Sequence, residues 1–359
     1  MVKDKIKCGV LGAGWWATFA HIPALLSHPC AELLAIQKND RERARKVAAD
    51  FGVPYACTTA AELLSIEGLQ AVVVSSSPHL HYEQAAASLR QGKHVLIEKP
   101  MTITASQARK LLDLADERNL QFIISCPWHF TPHAAIAQGL IREGKLGSLR
   151  MISVLMTNPI SHLLRGESTT PTHGSDIPYL HPNSGTYSDP KIAGGGQIYA
   201  QVCHVAAYLT FLTGLSASDV FARFHHDGAR VDIYDSLNIR MEDGTLVSIA
   251  STGATSLNLR TYEVRIFGTD GMLYLDLWRG TMTFTSMSGQ SVTYPELSPS
   301  EIYPQQAPAI NLIDSIFDPT CNRSQASFGV AAMEMIEAAC ISATSGQNVL
   351  IPSFLEQTA

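Results

Sequence analysis

Six residues near the N-terminus have the types and spacing to cradle a phosphate. Gly12-Ala13-Gly14-Trp15-Trp16-Ala17 follows the G-x-G-x-x-A pattern, directly after the β-rich run Ile6-Lys7-Cys8-Gly9-Val10-Leu11. In that pattern the first glycine permits a tight turn and the second lets the backbone approach a pyrophosphate. A small third residue lets helix and strand pack closely. The helix that opens there turns its free N–H groups to the anion. The pattern predicts a bound dinucleotide; the alternative is a tight turn with a structural role only. The end of the second strand distinguishes the two nicotinamide dinucleotides, since an acid there suits NAD and a base the 2′-phosphate of NADP. The sequence is Ala35-Ile36-Gln37-Lys38-Asn39-Asp40-Arg41, with Lys38 at the expected acidic position. Lys38 favours the 2′-phosphate; the alternative is a solvated Lys38 with Asn39 or Asp40 at the ribose. The cofactor is therefore expected to be NAD or NADP.

These groups need elements to hold them. Apolar runs at 6–11, 32–36, 71–75, 94–98 and 121–125 alternate with helical stretches running to about Ser27, at 40–51, near 59–66, at 81–91 and at 104–118. Strands alternating with helices imply βαβ units and a parallel sheet covered on both faces. After about residue 125 the rhythm changes. Strand patterns at 150–156, 220–226, 236–241, 245–252, 262–268, 272–277 and 281–285 are separated by turns such as Glu242-Asp243-Gly244 and Thr269-Asp270-Gly271. Helices are expected at 133–143, 199–213, 306–317 and 327–343. The expected fold class is α/β: an N-terminal doubly wound parallel sheet of the Rossmann kind over 1–125, and a C-terminal α+β domain with a large, open, mostly antiparallel sheet over 126–359. A C-terminal helix is free to pack back on the first domain. The stretch 157–193 has no period, is rich in Pro, Ser, Thr, Gly, His and Tyr, and ends in Gly194-Gly195-Gly196. A structureless loop this long is usually functional, so it is expected over the active site, or else to serve assembly.

Composition narrows the partners. Hydrophobic residues make up 46% and charged ones 16% of the 359 residues, too apolar for a disordered chain. A net charge of −6 without long like-charge runs argues against nucleic acid and anionic membranes. No run of consecutive apolar residues has the length to span a bilayer, and the first residues lack a signal-peptide pattern. The seven cysteines are scattered and form no C-x-x-C, as expected of reduced thiols in a cytoplasmic protein. His162, His173 and His181 are spaced 11 and 8 apart, matching no standard metal set, so no metal is expected.

Glu98-Lys99-Pro100 after the fourth long strand, Pro78-His79-Leu80-His81, the G-x-G-x-x-A turn, and Gly194-Gly195-Gly196 followed by His204 occur in one order along essentially the whole chain. This set resembles the glucose–fructose oxidoreductase/inositol dehydrogenase (Gfo/Idh/MocA) family. The resemblance implies a Rossmann domain binding NAD(P), a sheet-rich second domain, a carbohydrate substrate, and a homodimer or homotetramer paired through the sheets. Lys99 matches the family's active-site lysine, whose ammonium would stabilise alkoxide charge. His204 matches its catalytic histidine, a candidate proton acceptor. Alongside Gly12, Gly14 and Lys38, the cofactor would meet Trp15, Trp16, Ser76, His79, His81, Glu98, Lys99 and Trp128.

Two departures stand out. The family commonly shows GGG-x-x-x-D-x-G-x-H, but here Ala200 and Val202 take the aspartate and glycine places. Gln197 and Gln201 are one helical turn apart and suit sugar hydroxyls, and Tyr199 could donate as well. A replacement carboxylate or tyrosine could come from Asp176, Asp189, Tyr179, Tyr187, Asp232 or Asp235. After the fifth long strand the chain has Pro127-Trp128-His129-Phe130 in place of the family's Asn-Arg-Arg-Phe, which suggests an aromatic wall for a pyranose. The substrate side is thus expected to comprise Lys99, His129, Arg165, Tyr187, Gln197, Gln201 and His204, with Arg165 and Lys191 available to an anionic group.

The leading expectation is hydride transfer from a carbohydrate hydroxyl to the nicotinamide. An NAD-dependent glycosidase of the sulfoquinovosidase kind is the alternative: transient oxidation, elimination, water addition and re-reduction. A non-catalytic cofactor-binding sensor is the third.

Overall fold

The computed structural model describes residues 4–167 and 179–352. His173 and Asp176 lie outside them. The chain divides into two compact units. One comprises the stretch to Pro127, the described part of 168–186, and Gln305–Val330; the other comprises Trp128–Glu167, Tyr187–Pro304 and the remainder from Ala331. The single cut expected near residue 125 is thus crossed by two later segments.

The first unit is a six-stranded parallel sheet: β1 (Ile6–Leu11), β2 (Ala31–Gln37), β3 (Tyr55–Cys57), β4 (Ala71–Val74), β5 (His94–Ile97) and β6 (Phe122–Ile124), in the order β3-β2-β1-β4-β5-β6. Every residue of Ala71-Val72-Val73-Val74 is buried, as a parallel strand covered on both faces requires. Helix ends follow local chemistry. Asp40 caps Arg41–Phe51 through the Arg43 N–H, and Gly52 stops that helix in the left-handed region. Thr59 and Glu62 form a capping box on Ala60–Leu64. The late helix Ala307–Phe317 completes this core, since Ala309, Leu312 and Ile313 pack with Leu96 and Ile123.

The second unit is built on nine strands: β7 (Leu149–Thr157), β8 (Ala217–His225), β9 (Tyr234–Met241), β10 (Leu246–Thr252), β11 (Thr261–Gly268), β12 (Gly271–Asp276), β13 (Thr281–Ser286), β14 (Ser291–Thr293) and β15 (Val349–Leu350). Their order is β14-β13-β12-β11-β7-β10-β9-β8-β15. β7 and β10 run parallel, and every other pairing is antiparallel. β9 alternates strictly between exposed and buried residues, so one sheet face is covered. Helix Cys203–Thr213, buried along nearly its whole length, packs there beside Pro132–Arg142.

Among the described residues one helix, Ala326–Ser345, is long and apolar enough by length and composition to cross a membrane (mean hydropathy 1.3), although Glu334 and Glu337 interrupt its apolar run. Just over half of that stretch, 56%, is buried in the protein, the mark of a core helix. The long loop 157–193 is not structureless throughout: it carries the short helices Ser161–Leu164, Ser184–Ser188 and Pro190–Ala193.

Candidate active site

In the first unit the glycine turn sits where the strand order reverses, between β1 and β4, the place where open α/β sheets bind ligands. Gly12 has φ +82°, and a Cβ on it would lie 2.4 Å from the Ser76 Cα. Only glycine fits. A Cβ on Gly14 would meet nothing nearer than the Gly12 carbonyl at 3.8 Å, so the backbone there is open to a ligand. Gln37 pins the turn from β2: its Oε1 accepts from Gly12 N–H at 3.2 Å and its carbonyl from Ala13 N–H at 2.8 Å. These residues fit a dinucleotide pyrophosphate. Trp15 and Trp16 follow, their rings edge to face at 5.2 Å, ahead of a π turn (Ala17–His21) that leads into Ile22–Ser27.

Lys38 folds back on the turn, its Nζ donating to the Ala13 carbonyl at 3.3 Å. Burial, and then the charge of Arg43, hold its pKa below the ordinary lysine value against the pull of Asp40. Asp40 is already engaged as a helix cap, and the Asn39 Oδ1 accepts from Gln37 Nε2 at 2.9 Å.

Glu98 is a buried junction. Its Oε1 accepts from Trp16 Nε1 and bonds His21 Nε2, both at 2.8 Å, and its Oε2 accepts from Lys99 N–H at 3.2 Å. Burial pushes its pKa up, but the His21 hydrogen bond and charge, with Lys99 and Ser125, hold it below the usual carboxylate range. His21 escapes sequence reasoning, because nothing in its spacing marks it. His81 is buried, with Nδ1 2.8 Å from the Pro100 carbonyl and Nε2 3.0 Å from the Ser76 carbonyl. Burial lowers its pKa against those two carbonyls. A neutral ring donates to only one of them, so His81 ties the Lys99–Pro100 segment or the β4 end at any moment. Lys99 is half-buried and precedes a cis proline. Ser76 Oγ donates to Gln84 at 2.7 Å, and His79 is exposed. The structure thus gathers Gly12, Trp16, Lys38, Ser76, His81, Glu98 and Lys99 around the strand ends, with Trp16, His81 and Glu98 acting as internal braces.

In the second unit His204 is 3% exposed at the head of helix Cys203–Thr213, following a π turn, Ile198–Val202. π turns recur at functional sites. Its ring meets Trp128 edge-on at 5.1 Å. Trp128, 2% exposed, also meets Tyr262 at 4.9 Å, Trp278 at 5.1 Å and Tyr303 at 4.6 Å. It is the centre of an aromatic cluster that fixes His204.

Several expected substrate residues are placed elsewhere. His129 is fully buried and stacks flat on Phe211 at 4.4 Å, a core histidine. Gln197 is fully buried, with Nε2 donating to Ser251 Oγ at 2.9 Å, so its amide braces the sheet. Arg165 pairs with Asp227, and partly buried Tyr187 packs against the cluster of Leu164, Val231 and Ile233. Gln201, in the π turn, stays partly exposed. Tyr199 is buried against Gly194 and Gly195, and burial raises its pKa beyond use near neutrality. The Asp232 carboxylate is engaged by backbone N–H groups of Gly196 and Ile198, and Asp189 caps Pro190–Ala193. Neither is free to replace the motif aspartate. Among the described residues no group of three His, Cys, Asp or Glu could hold a metal.

Comparison with known proteins matches residues 6–125 to the GFO_IDH_MocA model, described as "Oxidoreductase family, NAD-binding Rossmann fold", and residues 135–274 to the GFO/IDH/MocA C-terminal domain. An uncharacterized oxidoreductase of Synechocystis sp. is 30% identical over 278 residues, 74% of this chain and 70% of that one. The dTDP-3,4-didehydro-2,6-dideoxy-alpha-D-glucose 3-reductase of Streptomyces antibioticus is 32% identical over 213 residues, 59% of this chain and 58% of that protein. Among solved structures, levoglucosan dehydrogenase in complex with NADH and levoglucosan superposes with a TM-score of 0.82 at 19% identity, over 98% of this chain and all of that one. That likeness shows a shared fold.

Proposed function

From the premise that the chain belongs to the Gfo/Idh/MocA family and is an NAD(P)-binding oxidoreductase, we propose that it transfers hydride between a hydroxyl or carbonyl of a sugar and NADP(H). The observation that carries the sugar reading is His204 held edge-on against buried Trp128 in an aromatic cluster whose outer rings, Trp278 and Tyr303, stay partly exposed and suit the C–H face of a carbohydrate. The relatives named for sugar substrates point the same way. NADP(H) is favoured by Lys38 in the acidic position, with Arg43 near it and Asp40 withdrawn into a cap.

The nicotinamide dinucleotide, when bound, supplies the two-electron redox chemistry. Gly12 and Gly14 would hold its pyrophosphate, and Lys38 its 2′-phosphate. In the first unit Lys99 offers an ammonium suited to stabilising alkoxide charge, and in the second His204 offers an imidazole suited to taking a hydroxyl proton. Gln201 orients a neighbouring hydroxyl. On the outer face of the second sheet, Met272, Phe267, Met151 and Leu246 lie directly opposite one another across β12, β11, β7 and β10. Met272, Met151 and Leu246 are exposed. This apolar row supports a homodimer or homotetramer paired through the sheet.

The test is incubation with NADP⁺ and a panel of free sugars and glycosides. Stoichiometric NADPH formation with the glycosidic bond intact is expected, together with a loss of about 10²-fold or more in kcat for His204→Ala. Free aglycone without net NADPH would overturn the reading in favour of redox-neutral cleavage.

A further inference from the structure

Asp232 and Asp235 are carboxyls buried on the covered side of the second sheet, 3% and 4% exposed, and the proposed hydride transfer uses neither. Asp232 grips the chain just before the His204 helix. Its Oδ1 accepts from Gly196 N–H and its Oδ2 from Ile198 N–H, each at 2.7 Å, and its carbonyl accepts from Gln197 N–H at 3.0 Å. Three successive amides thus end on one residue. Gly196 is shaped to it: a Cβ there would lie 2.0 Å from the Asp232 carbonyl oxygen. The next residues are the π turn bearing Gln201, and then His204. A carboxylate on the first free amides of a helix satisfies them and complements the helix dipole.

Asp235 stands one strand residue in from the start of β9, opposite Ser251, the residue that holds the Gln197 side chain. Neither of its oxygens has a hydrogen-bond partner within normal distance, and the Asp232 carboxyl is its charged neighbour. Burial, then the Asp232 charge, push its pKa well above the usual carboxylate range, so Asp235 is the neutral member of the pair. Tyr199 and Cys340 face the same site; burial first, and then the surrounding carboxylates Asp232 and Glu337, keep both uncharged. The buried Asp232 carboxyl is thus aimed at the amides that precede the helix.

We propose that Asp232 is a positioning residue for the hydride-transfer site. Its carboxylate clamps Gly196 and Ile198, on either side of the Gln197 amide held by its carbonyl, and so sets the placement of Gln201 and His204, with Asp235 as its neutral neighbour. The inference rests on His204 and Gln201 acting on the sugar as proposed above.

The experiment compares Asp232→Asn and Asp232→Glu with the native enzyme, with turnover counted per NADPH-binding site so that unfolded chains drop out. For D232N, kcat falls tenfold or more and sugar KM rises, while NADPH affinity, read by fluorescence quenching in the first unit, stays within twofold. D232E, which keeps the charge but misplaces it, loses at least threefold in kcat; it carries the test alone should D232N not fold. A kcat and KM within twofold of native in a folded variant overturn the proposal. The His204 ring resonances, assigned by their loss in H204A, give a readout independent of turnover. They move in D232N or D232E if the clamp sets the imidazole, and unchanged resonances overturn the clamp. Moved resonances in a protein that turns over no sugar would leave the clamp standing and overturn the sugar reading.

Discussion

The buried imidazole of His21 bonds the Glu98 carboxylate at 2.8 Å, joining the helix after the glycine turn to the residue before Lys99. Trp16 donates to the same oxygen, so two residues from one helix converge on one acceptor. The His21 side chain has no exposure, so truncation leaves a buried carboxylate short of a partner. His21→Ala is expected to cost about 3 kcal/mol, measured by denaturant unfolding.

The same pair makes stability depend on pH. The folded protein holds Glu98 below its ordinary pKa, so the unfolded chain binds that proton first. The stabilisation is complete above about pH 4 to 5, where an unfolded glutamate ionises. It drains as pH falls from there through the lower folded value. Glu98→Gln should flatten that acid limb, as read from unfolding midpoints across pH.

In the proposed reading Lys38 selects the cofactor. Its half-buried position and neighbour Arg43 make a charge-assisted contact with a 2′-phosphate worth about 1.5 to 3 kcal/mol. Lys38→Ala should therefore raise KM for NADP by roughly tenfold to a hundredfold and change KM for NAD little. Steady-state kinetics with both cofactors check this, and equal changes would remove Lys38 from the ribose site.

Local chemistry explains why so much was legible. Gly12 and Gly14, the cap at Asp40 and the all-apolar Ala71–Val74 each specify their surroundings within a few residues, so the parallel sheet and its turn follow from short windows. β9 announces itself by strict alternation. What was hidden depends on long-range contacts. His21 and Glu98 are 77 residues apart, and Asp232 and Gly196 are 36 apart. Strands as short as β14 and β15 carry too few residues to show a period. Gln197 and Gln201 share a helical spacing, but only the fold shows that one braces Ser251 while the other stays partly exposed.

The apolar row on the outer sheet face gives a prediction about assembly. Met151 and Leu246 are directly opposed across β7 and β10, 44% and 55% exposed. A charge there would be desolvated in a paired sheet. Leu246→Glu should convert the proposed homo-oligomer to monomers, seen by light scattering, with the fold kept by circular dichroism. A native enzyme that is already monomeric would refute the pairing.

His129 is the residue whose appearance misleads most. It follows Trp128 in an aromatic stretch, yet its ring lies 8° from parallel to Phe211 at 4.4 Å, with Tyr208 stacked beyond. A ring held this way contributes packing area and no substrate contact. His129→Ala should behave as a large-to-small core change and destabilise by about 3 kcal/mol, with sugar KM within twofold of native in the folded fraction. His129→Phe, which keeps the stacked ring, should recover most of that loss. Thermal unfolding alongside steady-state kinetics decides the matter: a raised KM without loss of stability would return His129 to the substrate site.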